Sequence, residues 1–237
     1  ETYPITFLSN ADASAANKLT IKPATGVTAT IAGSSTTAVI VVNGGDFITI
    51  NGTNGTTANS ICPLVKASRN LTISNTNAAT TSAIISIQTS ATGNGATNNS
   101  VINTNLIGNG SLTTLVGINI GGTAIGSGAG AVNNDNNSVV NNAIQSVQFG
   151  IYSTGQTPSI KNTNNQFDLN DLNGTGLLAL GKGGIAVVFE DQTKIRSNSI
   201  ANIISTSGAF DVLGITLGTI GLANTLTTGS EVTNAVV

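Results

Sequence analysis

Apolar residues along this chain fall in short runs separated by clusters of Asn, Gly, Ser and Thr, and no long stretch carries them at helical spacing. Four segments share one layout: Val101-Ile-Asn-Thr-Asn-Leu106, Val139-Val-Asn-Asn-Ala-Ile144, Phe167-Asp-Leu-Asn-Asp-Leu172 and Ile195-Arg-Ser-Asn-Ser-Ile200. Each is apolar at its first and sixth positions. Asn142, Asn170 and Asn198 hold the fourth position, two steps of 28 residues, with Thr104 as their earlier counterpart. A second layout follows each copy, at Gly117-Ile118, Gly150-Ile151, Gly184-Ile185 and Gly214-Ile215, with steps of 33, 34 and 30. Two patterns recurring in the same order mark a repeat architecture.

Earlier segments read as degenerate copies: Lys18-Leu-Thr-Ile21, Asp46-Phe-Ile-Thr-Ile50 and Asn70-Leu-Thr-Ile73, while Glu231-Val-Thr-Asn234 opens a last one. Starts near 19, 47, 71, 101, 139, 167, 195 and 232 give steps of 28, 24, 30, 38, 28, 28 and 37. Strands of about 4–7 residues, two or three per repeat, suit one turn of a parallel β-helix. Propeller blades need about 40 residues and four strands, and the Leu-x-x-Leu-x-Leu signature of leucine-rich repeats is missing. The expected fold is all-β, a parallel β-solenoid of about eight coils of roughly 24–38 residues, one domain over residues 1–237. In that register Val139, Phe167 and Ile195 stack as one core column, and Ile144, Leu172 and Ile200 as another. Asn142, Asn170 and Asn198 form a side-chain ladder, each amide bonding its copy one coil away, at corners where Asn also tolerates left-handed backbone.

Composition agrees with strands and turns: Thr 35, Asn 31 and Gly 28 supply about two-fifths of the chain. Ile and Val are too plentiful for disorder, yet aromatics are 3%, so the core is aliphatic. Only 8% of residues are charged, with a net charge of −2, which leaves no basic face for nucleic acid or an anionic membrane. No apolar run approaches the ~20 residues that span a bilayer. His is absent and Cys62 is the single cysteine, which excludes imidazole catalysis, His-ligated metals and an internal disulfide. Cys62, between Ile61 and Pro63, reads as a small buried hydrophobe. A start at Glu1 without Met and an end inside a strand pattern at Val237 suggest a fragment of a longer chain, continued or covered at its apolar end.

The runs 98–109 and 183–190, together with Leu19-Thr-Ile-Lys-Pro-Ala-Thr-Gly-Val27 and Phe47-Ile-Thr-Ile-Asn-Gly52, resemble right-handed parallel β-helix domains of large secreted proteins of Bacteroidetes-type bacteria. The resemblance covers the chain from about Tyr3 to Val237. It implies export, display at the cell surface and a right-handed coil within a long modular protein. Its partners would be neighbouring domains of that chain, other surface proteins, or carbohydrate.

Candidate chemistry is sparse. Parallel β-helices also host polysaccharide lyases and hydrolases, and a glycosidase needs two carboxylates ~5–9.5 Å apart. Asp168 and Asp171 are the pair to inspect, although the 28-residue step sets Arg196 beside Asp168 and favours a surface ion pair. Glu190 and Asp191 are the candidates for a calcium site, without a surrounding Asp-x-Asp loop. Gly126-Ser-Gly-Ala-Gly130 and Gly181-Lys-Gly-Gly184 lack any nucleotide-binding framework. No cofactor is indicated. The expected function is a structural or adhesive module, a rod or spacer of a bacterial surface protein acting as an adhesin. The alternatives are a carbohydrate-binding or polysaccharide-degrading β-helix and, less favoured, an ice-binding solenoid, whose regular Thr-x-Thr rows are missing.

Overall fold

The computed structural model describes residues 2–128, 130, 132–205, 212–218, 222 and 231–237. Within them the chain is all-β: no α-helix occurs, and Gly176–Leu178 forms a 3₁₀ turn. Three parallel sheets dominate. Sheet I joins Ile5–Leu8, Ile40–Asn43, Ala83–Gln88, Val116–Gly121, Phe149–Thr154, Gly183–Val188 and Leu213–Leu217. Sheet II joins Leu19–Ile21, Ile48–Asn51, Ser100–Ile102, Ser138–Val140, Gln166–Asp168 and Lys194–Arg196. Sheet III joins Ala29–Gly33, Leu71–Asn75, Thr104–Ile107, Ala143–Gln145, Asp171–Leu172 and Ser199–Ile200. The chain enters sheets I, II and III in rotation, and each strand pairs with its counterpart from the next round.

In-register pairing brings like residues together. Ile5, Ile40, Ile85, Ile118, Ile151, Ile185 and Ile215 succeed one another in sheet I. Ile21, Ile50, Val101, Val139, Phe167 and Ile195 do so in sheet II. In sheet III the series is Ile31, Ile73, Leu106 and Ile144, then Leu172 and Ile200. The inner members of the three columns form one core, each side chain contributing roughly 1.5–3 kcal/mol on burial. In three of the four Gly-Ile pairs, at Gly117, Gly150 and Gly184, the glycine has a packing reason: a Cβ on Gly150 would lie 1.9 Å from Leu172 Cδ2 and 2.7 Å from the Gly184 carbonyl oxygen. Sheet I is buried on its other face as well, where Tyr152, Val116 and Ala186 meet Ile125 and Leu222.

Two expected starts move. Ile50 pairs with Val101 in sheet II, whereas Ile73 pairs with Leu106 in sheet III. The segment at 71 is therefore the next strand of the same round, and the steps of 24 and 30 merge into one long interval. The segment at 232 joins a further round but five residues out of the expected register: Val232 pairs with Glu190 and Val236 bridges Lys194, so Val237 rather than Val232 follows Ile195. Val232–Thr233 also extends a small parallel sheet with Asn162–Thr163 and Glu190–Asp191.

The bends on either side of sheet II are built alike. A residue with positive φ comes first, then a buried side chain that reaches the neighbouring round. At the II–III bend the left-handed residues are Asn103, Asn141, Leu169 and Ser197, followed by Thr104, Asn142, Asn170 and Asn198. Asn142 Oδ1 accepts from the Thr104 amide at 3.0 Å, Asn170 Oδ1 from the Asn142 amide at 3.0 Å, and Asn198 Oδ1 from the Asn170 amide at 2.9 Å. Each Nδ2 donates to a strand carbonyl: Asn142 to Val101, Asn170 to Val139, Asn198 to Phe167. The ladder asparagines are thus distinct from the left-handed residues, which stand one position earlier. The bend before sheet II repeats the device with left-handed Phe47, Asn98, Asn136, Asn164 and Gln192. Its ladder is Asn99, Asn137 and Asn165, whose Oδ1 atoms accept from Ile48, Asn99 and Asn137 amides. Just outside it, Asp46, Thr97, Asp135, Thr163, Asp191 and Thr233 occupy successive rounds of one column, acid and hydroxyl in alternation.

Candidate functional site

Of eight cations in the chain, both arginines and Lys66 gather with Asp168 and Asp171 at the bend between sheets II and III. Later rounds turn this bend with one or two residues, but residues 52–70 intervene between Ile48–Asn51 and Leu71–Asn75. This insertion folds back as a strap, closed by a small antiparallel hairpin of Ser60–Ile61 and Leu64–Val65. It lies over the bends of subsequent rounds. Asn59 donates to Asn103 Oδ1 at 2.8 Å, and Asn141 Nδ2 donates to the Ala67 carbonyl at 2.9 Å. Arg69 donates from Nε to the Asn141 carbonyl at 2.8 Å and from Nη2 to Asn141 Oδ1 at 2.7 Å. Lys66 and Arg69 then grip Asp171, each at 2.6 Å, on opposite carboxylate oxygens.

Asp168 points into sheet-face contacts of its own and is 1% exposed. Arg196 sits beside it in register, with Nη2 at 2.6 Å from Oδ2, its Nε within 3.3 Å of both oxygens and its backbone amide at 2.9 Å from Oδ1. Gln166 Nε2 adds a further bond at 2.6 Å. The pair is therefore more enclosed than a surface ion pair. Burial raises the Asp171 carboxyl, but bonds from Lys66 and Arg69 outweigh it and hold the group below its ordinary range. Bonds donated to Asp168 hold the Arg196 guanidinium charge more firmly still. Each carboxylate is engaged by cations, so neither stands free to face a glycosidic bond.

Between the strap and the face of sheet II lies a cleft of about 280 Å³. Asn59, Ser60 and Ile61 form its strap wall; Val140 and Leu169 supply an apolar floor beside Gln166 and the Asp168–Arg196 pair.

Glu190 and Asp191 do not converge. Adjacent residues of a strand face opposite ways. Glu190 is fully buried among donors: Ser153 and Thr193 hydroxyls and the Asn162 and Asn165 amides all reach its oxygens. Burial pushes its carboxyl up despite these bonds. Asp191 instead accepts from Thr233 and Asn234. No group of three metal-ligating acids, Cys or His occurs among the described residues. Cys62 corrects the buried reading: it is exposed at the strap's hairpin, because the 51-residue interval places it outside the stacked core.

Sequence reasoning reached Asp168, Asp171 and Arg196 but missed Lys66, Arg69 and Asn59. The available signal was the summed interval of 24 and 30 around the false start at 71, since a round of about 28 residues leaves about 26 over, enough to form a strap. No protein-family model matches the chain, and no curated protein or solved structure matches it either.

Proposed function

We propose that the chain is a right-handed parallel β-solenoid of about seven coils that serves as a structural or adhesive module of an exported, surface-displayed bacterial protein. One observation carries the reading: three parallel sheets receive strands in unbroken rotation, in a register that keeps like residues in columns. Such a stack can be lengthened coil by coil without changing its cross-section, which is what a spacer requires. The absence of a catalytic pair free of cations at Asp168 and Asp171 speaks against the polysaccharide-degrading alternative. Ice binding fares no better. The outward column Thr20, Thr49, Ser100, Ser138, Gln166 and Lys194 keeps threonine for two rounds only.

Two measurements test this. Deleting residues 164–191 removes 28 residues, one whole coil, and should leave a folded chain with an unchanged far-UV β spectrum; a closed fold would collapse. Antibodies raised against the purified chain should label intact source cells, and labelling confined to permeabilised cells would defeat the display reading.

A further inference from the structure

The geometry points to the cleft between the strap and sheet II as a binding site for an acidic saccharide, a sugar ring bearing a carboxylate. This site stands independently of the surface-display reading, because its residues are fixed by ladder and strap contacts alone.

Donors outnumber acceptors in the cleft. Arg196 commits Nε and Nη2 to Asp168, while Nη1 has no partner among the described residues, and the side chain is 32% exposed. The Ser60 oxygen accepts from the Cys62 amide, which leaves its own proton to donate. Asn59 uses one amide hydrogen on Asn103 and keeps the other. Gln166 spends Nε2 on Asp168 and presents its carbonyl oxygen as an acceptor. Charge points the same way. Lys66, Arg69 and Arg196 face Asp168 and Asp171, so the bend carries one net positive charge in a chain whose total is −2. An open guanidinium edge flanked by neutral donors matches a carboxylate, which accepts two parallel bonds from one fork.

The rest of the ligand follows from what the floor cannot do. Its backbone is paired on both sides, Val140 between Ile102 and Asp168, and Asp168 between Val140 and Arg196. A peptide strand therefore finds no edge to extend. Recognition must run through side chains that mix donors with an acceptor over a small aliphatic patch of Val140 and Ile61. Hydroxyls spaced around a pyranose ring satisfy that mixture, and the volume holds about one ring.

The test is titration of the whole chain with sodium glucuronate, followed by amide chemical shifts, with glucose, acetate and a glutamate-containing tripeptide as parallel arms. Glucuronate should give saturable shifts centred on residues 59–61, 140 and 166–169. Each other probe should bind at least about tenfold more weakly, the scale of one lost charge-assisted contact. Arg196→Lys keeps the charge beside Asp168 but loses the fork, and should weaken glucuronate by about tenfold. Ser60→Trp fills the cleft from the exposed strap without touching the stack, and should abolish binding with an unchanged melting curve. Absence of saturable glucuronate binding overturns the proposal. So does equal or tighter binding of glucose, acetate or the peptide, or wild-type affinity in Ser60→Trp.

Discussion

Glu190 is sealed inside the stack and reached by hydroxyl and amide donors alone. It stands 28 residues beyond Asn162, which itself follows Asn134 in the same ladder, so a carboxylate occupies an asparagine's place. Its raised pKa has a definite sign. A group with a folded pKa above its unfolded value favours the fold most at low pH, and that contribution is lost as pH rises through the folded pKa. Replacing Glu190 with Gln should therefore gain stability relative to wild type between pH 4 and pH 8. Thermal melts across that range check this, and a constant or narrowing difference would contradict it. Asp171, lowered, acts at the opposite end: its strap pairing persists above its unfolded pKa and fails only in stronger acid. Asn170 is the plainer case. Asn170→Ala strips partners from the buried Asn142 amide and the Val139 carbonyl, at about 1–3 kcal/mol for each group left open. Urea unfolding measures the loss directly, and a change under 1 kcal/mol would show that water takes the vacated place.

Elements of this protein are short because the stack, not the strand, is the unit that buries surface. That is why alternation in Val139–Ile144 or Phe167–Leu172 could be read in the sequence while element order could not be read everywhere. The Leu-Thr-Ile triplets at 19–21 and 71–73 look alike, yet they enter sheets II and III, because both sheets demand the same inward–outward pattern. Residue identity alone does not distinguish two faces of one core. The strap was hidden for a related reason: its contacts with Asn103, Asn141 and Asp171 depend on which rounds lie beside it, and spacing within residues 52–70 carries no trace of that. The left-handed positions were half legible. Asn103 and Asn141 are conventional there, but Leu169 and Phe47 hold the same backbone, supported by neighbours above and below. Glycine at the start of each sheet I core segment allows a test at this scale. Gly150→Ala should cost about 1–3 kcal/mol, since Leu172 and the Gly184 carbonyl must give way. Gly214→Ala, at the equivalent position with nothing within 4 Å, should be close to neutral. Equal effects at both sites would mean that the columns are looser than they are drawn.

At the scale of the whole molecule, the proposed solenoid has two unlike ends that share one cross-section. Leu8 and Leu19 stand exposed at the first round, and Leu217 and Val236 near the last. What lies between is ordered by a column that never sets acid on acid: Asp46, Thr97, Asp135, Thr163, Asp191, Thr233. In-register parallel strands lie about 4.8 Å apart, so two adjacent carboxylates would repel at that distance. This alternation gives the molecule a parity. Repeating residues 164–191 once would seat a second Asp191 directly on the first, whereas repeating residues 136–191 would carry Thr163 along and restore the sequence of signs. The single duplication should melt lower than the double one at neutral pH, and the gap should close in acid or high salt. An equal gap under all conditions would remove the electrostatic cause. Tandem copying of an Asp-bearing coil would then require its Thr-bearing neighbour to travel with it, a constraint set by charge before any binding partner is consulted.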